Sequence, residues 1–215
     1  MIDNEIIYNI EREAKNYFVS SNPTHDWSHV ERVLALSDRI GKSENSDKNV
    51  VRLAVLLHDT GRELEDKSKG ELDHTVESEK IAKEILSKYG LEKSISENIY
   101  HCILAHRFRS RNGHKPKTKE AKVLYDADKL DTLGAIGVAR AYSFSGENNQ
   151  KLYSNFDDHN PGTGYEADHS PLKEFYSKAM KIKLFTEEGE KIAEERLNFV
   201  IEFFNRLERE VKGEL

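Results

Sequence analysis

Apolar residues recur at three- and four-residue spacing along almost the whole chain, and strand-like alternation is scarce, so the pattern predicts a protein built of helices. Residues 3–19 read as a first helix with Ile6, Ile7, Ile10, Ala14, Tyr17 and Phe18 on one side, and Pro23-Thr24 breaks the chain after it. A second helix, from about Asp26 to Ile40, turns Val30, Val33, Leu34 and Ser37 inward. Asp47 is placed to cap a third, whose Val50, Val51, Ala54, Val55 and Leu57 lead up to His58, and Gly61 ends it.

The mixed-charge stretch Glu65 to Asp73 reads as an exposed loop before a helix from about His74 to Lys88, stopped by Gly90. Helix five spans about Lys93 to His106. A loop with six basic residues follows: Arg107, Arg109, Arg111, Lys115, Lys117 and Lys119. The next pattern runs as one helix from about Lys119 to Phe144, with Leu124, Leu130 and Leu133 beside three carboxylates and Gly134-Ala135-Ile136-Gly137 permitting close packing. Residues 148–170, rich in Asn, Asp, Gly and Pro, read as irregular, and two helices close the chain, from about Pro171 to Leu184 and Glu187 to Val211. No internal repeat or low-complexity tract interrupts this series.

These elements fit one all-α domain. A length of 215 residues allows one substantial core and is short for two, and 37% hydrophobic with 33% charged residues is ordinary for a soluble globular chain. No stretch reaches the roughly 20 apolar residues of a membrane span. The start of the chain lacks the basic and apolar regions of a signal peptide, and the single Cys102 forms no internal disulfide, so the expected home is a reducing cytoplasm. A net charge of −6 opposes extended nucleic-acid binding, which lysine and arginine drive by displacing counterions.

The chemistry concentrates in His58-Asp59, which closes the apolar run Leu53-Ala54-Val55-Leu56-Leu57, with His29 upstream and Asp128 downstream. Two imidazoles and two carboxylates at the wet ends of otherwise apolar helices make a mixed nitrogen and oxygen set suited to a divalent metal rather than to structural zinc. His29 alone would read as a core histidine held by a carbonyl, Asp59 as a turn cap, and Asp128 as a partner of Lys129 or Arg140. The ordered set makes those readings costly, since inward-facing carboxylates beside apolar residues need a compensating charge.

The pieces His25-Asp26-Trp27-Ser28-His29-Val30-Glu31-Arg32-Val33, Leu56-Leu57-His58-Asp59, His74-Thr75-Val76-Glu77-Ser78-Glu79 and Asp126-Ala127-Asp128-Lys129-Leu130-Asp131 occur in an order that resembles the HD-domain phosphohydrolase superfamily, an all-helical fold. The run from Leu130 to Arg140, with Ala141-Tyr142-Ser143-Phe144-Ser145-Gly146 after it, looks like the uncharacterised HD hydrolases of bacteria and archaea. The resemblance covers most of the chain. It implies a single-domain HD helical bundle, with a core over about 20–145 and C-terminal helices over about 170–212 packed on it.

It further implies that His29, His58, Asp59 and Asp128 ligate one divalent ion, with Mn, Fe, Mg, Ni, Co and Zn all compatible, and that the substrate is a small phosphorylated compound, a nucleotide foremost. Hydrolysis would proceed by attack of metal-activated water. Some relatives bind a second metal through further histidines, and His74 and His106 sit where such ligands come; the alternative, preferred here, is that they contact a substrate phosphate, together with Arg62 and Lys129. The carboxylate that some relatives keep after the pair is approximated by Glu63, so Asp59 and Glu63 are the catalytic candidates and the general acid or base stays open.

His25 and His101 read as structural, Asp131 as a residue orienting a ligand or lysine, and Trp27 as packing or a stacking surface for a base. The basic loop is either a steering surface for anions or simply solvated. Two other functions keep the fold: a di-iron oxygenase using His74 and His106, and a nucleotide-binding module that turns nothing over. The oligomeric state is open, a homo-oligomer included.

Overall fold

The computed structural model describes residues 2–19, 24–107, 113–156, 169–177 and 179–215. Among these the regular structure is helical throughout, with no strand. The chain divides into two compact units: Met1–Asp128 with Leu184–Glu188, and Lys129–Lys183 with Gly189–Leu215.

The first unit is organised around α3 (Lys48–Leu57), in which Val50, Val51 and every residue from Leu53 to Leu57 are buried. A helix apolar all round must be enclosed, and α3 packs against α1 (Asn4–Lys15), α2 (Trp27–Glu44), α5 (His74–Ser87) and α6 (Lys93–Ala105). Aspartates set the starts: Asp3, Asp26, Asp47 and Asp73 each accept a hydrogen bond from a backbone N–H of the turn they open. Along α2 the buried stripe is Val30, Val33, Leu36, Ser37 and Ile40, with Leu34 only half-buried, one position away from the expected stripe. Cys102 on α6 is fully buried, and burial pushes its thiol pKa up.

Two expectations need correction. The stretch after Gly61 is a short helix, α4 (Arg62–Lys67), and Glu65, expected to begin an exposed loop, is buried. The single helix expected from Lys119 to Phe144 is two, α7 (Lys119–Leu130) and α8 (Gly134–Glu147). Leu133 is extended and Gly134 has φ of +72°, a left-handed conformation that glycine adopts without strain. A Cβ on Gly137 would lie 2.2 Å from the Thr132 carbonyl oxygen, so these glycines serve the bend itself.

In the second unit α9 (Pro171–Ser177) is followed by a 3-10 turn, Ala179–Lys181, rather than by helix as far as Leu184, while α10 (Glu187–Val211) runs as the pattern predicts. Leu172, Phe175, Val200 and Phe204 form its buried core, flanked by Val138, Phe156, Tyr176, Leu197, Phe203 and Leu207. Pro23, Arg109, Arg111 and residues 157–168 of the irregular stretch lie outside the described residues. Among the described residues no helix is long and apolar enough to cross a membrane.

Candidate metal centre

Four histidines reach one place from four helix ends. His29 is the third residue of α2, fixed by Asp26, whose Oδ1 accepts from the amides of Ser28 (2.9 Å) and His29 (3.3 Å). His74 opens α5 behind its cap Asp73. His58 and His106 are the C-caps of α3 and α6, and each folds back on its own helix: Nδ1 lies 2.7 Å from the Val55 carbonyl in one and 2.6 Å from the Ile103 carbonyl in the other. A carbonyl oxygen can only accept, so both Nδ1 atoms carry a proton, which in a neutral ring leaves the lone pair on Nε2. This is how metal-binding imidazoles are ordinarily held.

Asp59 stands between two pairs of rings. Its Oδ2 is 3.9 Å from His29 Nε2 and 3.8 Å from His58 Nε2, while its Oδ1 is 3.4 Å from His74 Nε2 and 3.5 Å from His106 Nε2. His29 and His58 meet Nε2 to Nε2 at 3.3 Å, and Asp128 Oδ1 is 3.4 Å from His29 Nε2. His29, His58 and Asp59 thus form one group able to hold a metal ion, with donor atoms within 4.8 Å of one another, and Asp59, His74 and His106 form a second. All five are buried; Asp128, 9% exposed, is at the rim.

Burial also sets the charge state. It lowers the His58 pKa to about 4 against the pull of Asp59, and that of His74 to about 3, with the Arg62 cation acting in the same direction. Both rings are neutral near pH 7. Burial alone would push the Asp59 carboxyl up, but Arg62 and the neighbouring histidines outweigh it and hold the group well below the usual carboxylate range. A buried anion beside the neutral His58 and His74 rings is a site that calls for a cation.

Behind the rings lies a charged layer that sequence reasoning missed. Glu65 accepts from His74 Nδ1, from Arg62 Nη1 (3.3 Å) and from Arg107 Nη2 (2.9 Å), and Arg107 Nη1 also reaches Asp73 (3.3 Å). Burial opposes its ionisation, yet His74 and the two arginines bring its pKa down to about 2. The available signal was the three-residue step from Arg62 to Glu65, which puts both on one helical face. Arg62 Nη2 donates to Asp59 Oδ1 (3.3 Å) and to His74 Nε2 (3.0 Å), and its Nε is buried with no hydrogen-bond partner among the described residues.

The other candidates have partners of their own. Glu63 pairs with Lys67 at 2.6 Å, and the structure does not bring it into the cluster. Lys129 begins the second unit, and its carbonyl accepts from Thr132 N (3.0 Å) and Oγ1 (2.6 Å). Asp131 pairs with Arg140 at 2.7 Å, and buried Asp126 accepts from the amides of Phe185 and Thr186 and from Thr186 Oγ1. His25 packs edge-on to His29 and meets Thr24 Oγ1, while His101 Nε2 accepts from the Lys117 amide. Trp27 packs on Phe18 beneath the Lys15 ammonium. Of the basic loop, Arg107 is drawn inward, and Lys115, Lys117 and Lys119 are exposed.

The sequence profile of the HD domain matches residues 26–133, a span that contains all six residues of the cluster from His29 to Asp128. The uncharacterized protein YpgQ of Bacillus subtilis is 32% identical over 194 residues, 88% of this chain and 85% of that one. The crystal structure of YpgQ in complex with ADP superposes with a TM-score of 0.72 at 28% identity, covering 96% of this chain and 98% of that one. An HD-superfamily hydrolase of Bacillus thuringiensis superposes with a TM-score of 0.73 at 25% identity over 97% of each chain. A predicted HD superfamily hydrolase from an uncultured Thermotogales bacterium does so with a TM-score of 0.64 at 28% identity, over 96% of this chain and 91% of that one. With the adjacent His58-Asp59 pair at the heart of the matched span, the chain belongs to the HD domain family.

Proposed function

We propose that this chain is a metal-dependent phosphohydrolase that cleaves a phosphate ester or anhydride of a small molecule, a nucleotide foremost. One observation carries the reading: the Nε2 atoms of His29 and His58 and Asp59 Oδ2 converge in a buried space, with Asp128 Oδ1 3.4 Å from His29 Nε2 and the His58 Nδ1 proton committed to Val55. These four are the ligands assigned to one divalent ion. Mixed nitrogen and oxygen donors fit Mn, Fe, Co, Ni, Zn or Mg, and four ligands leave open positions for water and substrate. An ion held there would activate a water as nucleophile and polarise a phosphoryl oxygen.

The residues themselves do the rest. Asp59, kept ionised at any pH near neutrality, orients its two oxygens toward both pairs of rings. His74 and His106 lie against the other oxygen of Asp59; assigned as phosphate contacts, they would donate to a phosphate oxygen only as protonated rings, and in the neutral site the donor is the Arg62 Nε–H. Glu65 holds the His74 ring so that its Nε2 stays turned inward. The relative with ADP bound supports a nucleoside polyphosphate as the compound to test first.

The experiment is a substrate panel of nucleoside di- and triphosphates and simple phosphomonoesters with added Mn, read as phosphate and pyrophosphate release. Turnover that a chelator abolishes and Mn restores is expected, and Asp59→Ala should lose about 1000-fold, equivalent to some 4 kcal/mol of transition-state stabilisation. Unchanged turnover in Asp59→Ala would remove this centre from the chemistry.

A further inference from the structure

Asp59 divides the cluster into two halves, the first approached by the Asp128 carboxylate and the second by the Arg62 guanidinium. Each half has two imidazole Nε2 atoms and one oxygen of Asp59. In the second half His106 Nδ1 faces the Ile103 carbonyl and His74 Nδ1 faces Glu65, so the two Nε2 atoms turn toward each other at 3.2 Å and toward Asp59 Oδ1, at 3.4 Å from His74 and 3.5 Å from His106. Two acceptors at that distance repel unless a positive group sits beside both or a donor is shared with one of them. The positive group is present in the chain. Arg62 Nη2 lies 3.0 Å from His74 Nε2 and 3.3 Å from Asp59 Oδ1, two of the three donor atoms that a second ion would need.

We infer that the Arg62 guanidinium is a tethered cation standing in the place of a second metal, so that the protein takes one ion and Arg62 sets that number. The inference rests on the one-metal reading above and extends it to the other half of the cluster. Three features hold the guanidinium there. It comes from α4, directly after the turn that carries His58-Asp59, so little chain separates it from the carboxylate. Glu65, one turn further along the same helix, pairs with its Nη1 at 3.3 Å and so draws it toward His74. Its Nε–H stays buried without an acceptor among the described residues, which shows a guanidinium placed by its two outer nitrogens at the expense of the inner one.

The chemical logic is charge balance. A second divalent ion would put two further positive charges beside the first ion, and it would have to displace an arginine already paired with both Asp59 and Glu65. One delocalised positive charge satisfies two of the same three donor atoms, Asp59 Oδ1 and His74 Nε2, with less repulsion across the shared carboxylate. The di-iron oxygenase reading needs the second half empty of protein cations, and Arg62 counts against it.

The test counts ions rather than turnover. Chelator-stripped wild type, Arg62→Met and Arg62→Lys are dialysed against excess Mn(II) and assayed for bound metal per chain, with electron paramagnetic resonance to show whether the ions are isolated or coupled. The expected result is one isolated ion in wild type and Arg62→Lys, and two coupled ions in Arg62→Met, falling back to one when His74→Ala is added. One ion in a folded Arg62→Met overturns the inference, and so do two in wild type, a result that holds even if the variants fail to fold. No ion in wild type defeats the metal reading itself and is told apart from the other outcomes by that count.

Discussion

The amide of Gly61 donates to Ser78 Oγ at 2.9 Å, and a Cβ on Gly61 would lie 2.6 Å from the Ser78 amide nitrogen. The same Cβ would come within 2.7 Å of Glu77 Cβ and 2.8 Å of the His74 carbonyl oxygen. The turn that carries His58-Asp59 therefore presses on the start of α5, which carries His74, with no room for a side chain on Gly61.

Gly61→Ala is expected to cost about 2 kcal/mol of stability, because the atoms in its way are mostly backbone and cannot step aside. It should also weaken activity more than its stability loss explains, since the turn and His74 separate together. Denaturant titration beside steady-state rates checks both, and a variant as stable and active as wild type would show that the contact is slack.

Asp126 and Asp128 are two residues apart on α7, both buried but with different partners, so exchanging each for its amide separates structure from metal binding. Asp126→Asn loses a charged acceptor for two amides and a hydroxyl and should be less stable by about 2 to 3 kcal/mol while still binding metal. Asp128→Asn, at the rim, should melt within a few degrees of wild type yet bind Mn about 100-fold more weakly. Thermal melts and metal titrations of the pair decide the matter; the reverse pattern would exchange their roles.

Acid should destabilise the metal-stripped protein in a defined window. His58 has a native pKa of about 4 against an ordinary 6.5, so between those values the unfolded chain takes up a proton that the native chain refuses. Stability therefore falls as pH falls through that range, by about 3 kcal/mol from His58 alone, and His74, lowered to about 3, acts in the same direction. The stabilisation from Glu65 persists down to lower pH, being lost between about 4.5 and 2. Urea titrations of the stripped protein at pH 7, 5.5 and 4.5 check the sign; equal midpoints would contradict it.

The helical class and the meeting of His29, His58 and Asp59 are legible in the sequence, because a polar residue at the end of an apolar helix has few places to go but the end of the core. Glu65 is not. Its neighbours are charged on both sides, and local periodicity does not tell which of several acidic residues turns inward; that choice is made by His74 and Arg107, nine and 42 residues away. The bend at Gly134 escapes for a similar reason, since a glycine among helix-spaced apolar residues reads equally well as a packing position. What Asp126 holds, the backbone at Phe185 and Thr186, is equally hidden, since its partners lie about sixty residues further along the chain.

That long reach of Asp126 has a practical result for anyone cutting the gene. The matched span ends at residue 133, but the unit containing the histidines is completed by Leu184–Glu188, whose amides neutralise a carboxylate with no exposure to water. A fragment truncated after the matched span would strand that anion in an apolar interior, so it should be recovered as insoluble or molten material, and a minimal catalytic piece has to retain the start of the last helix.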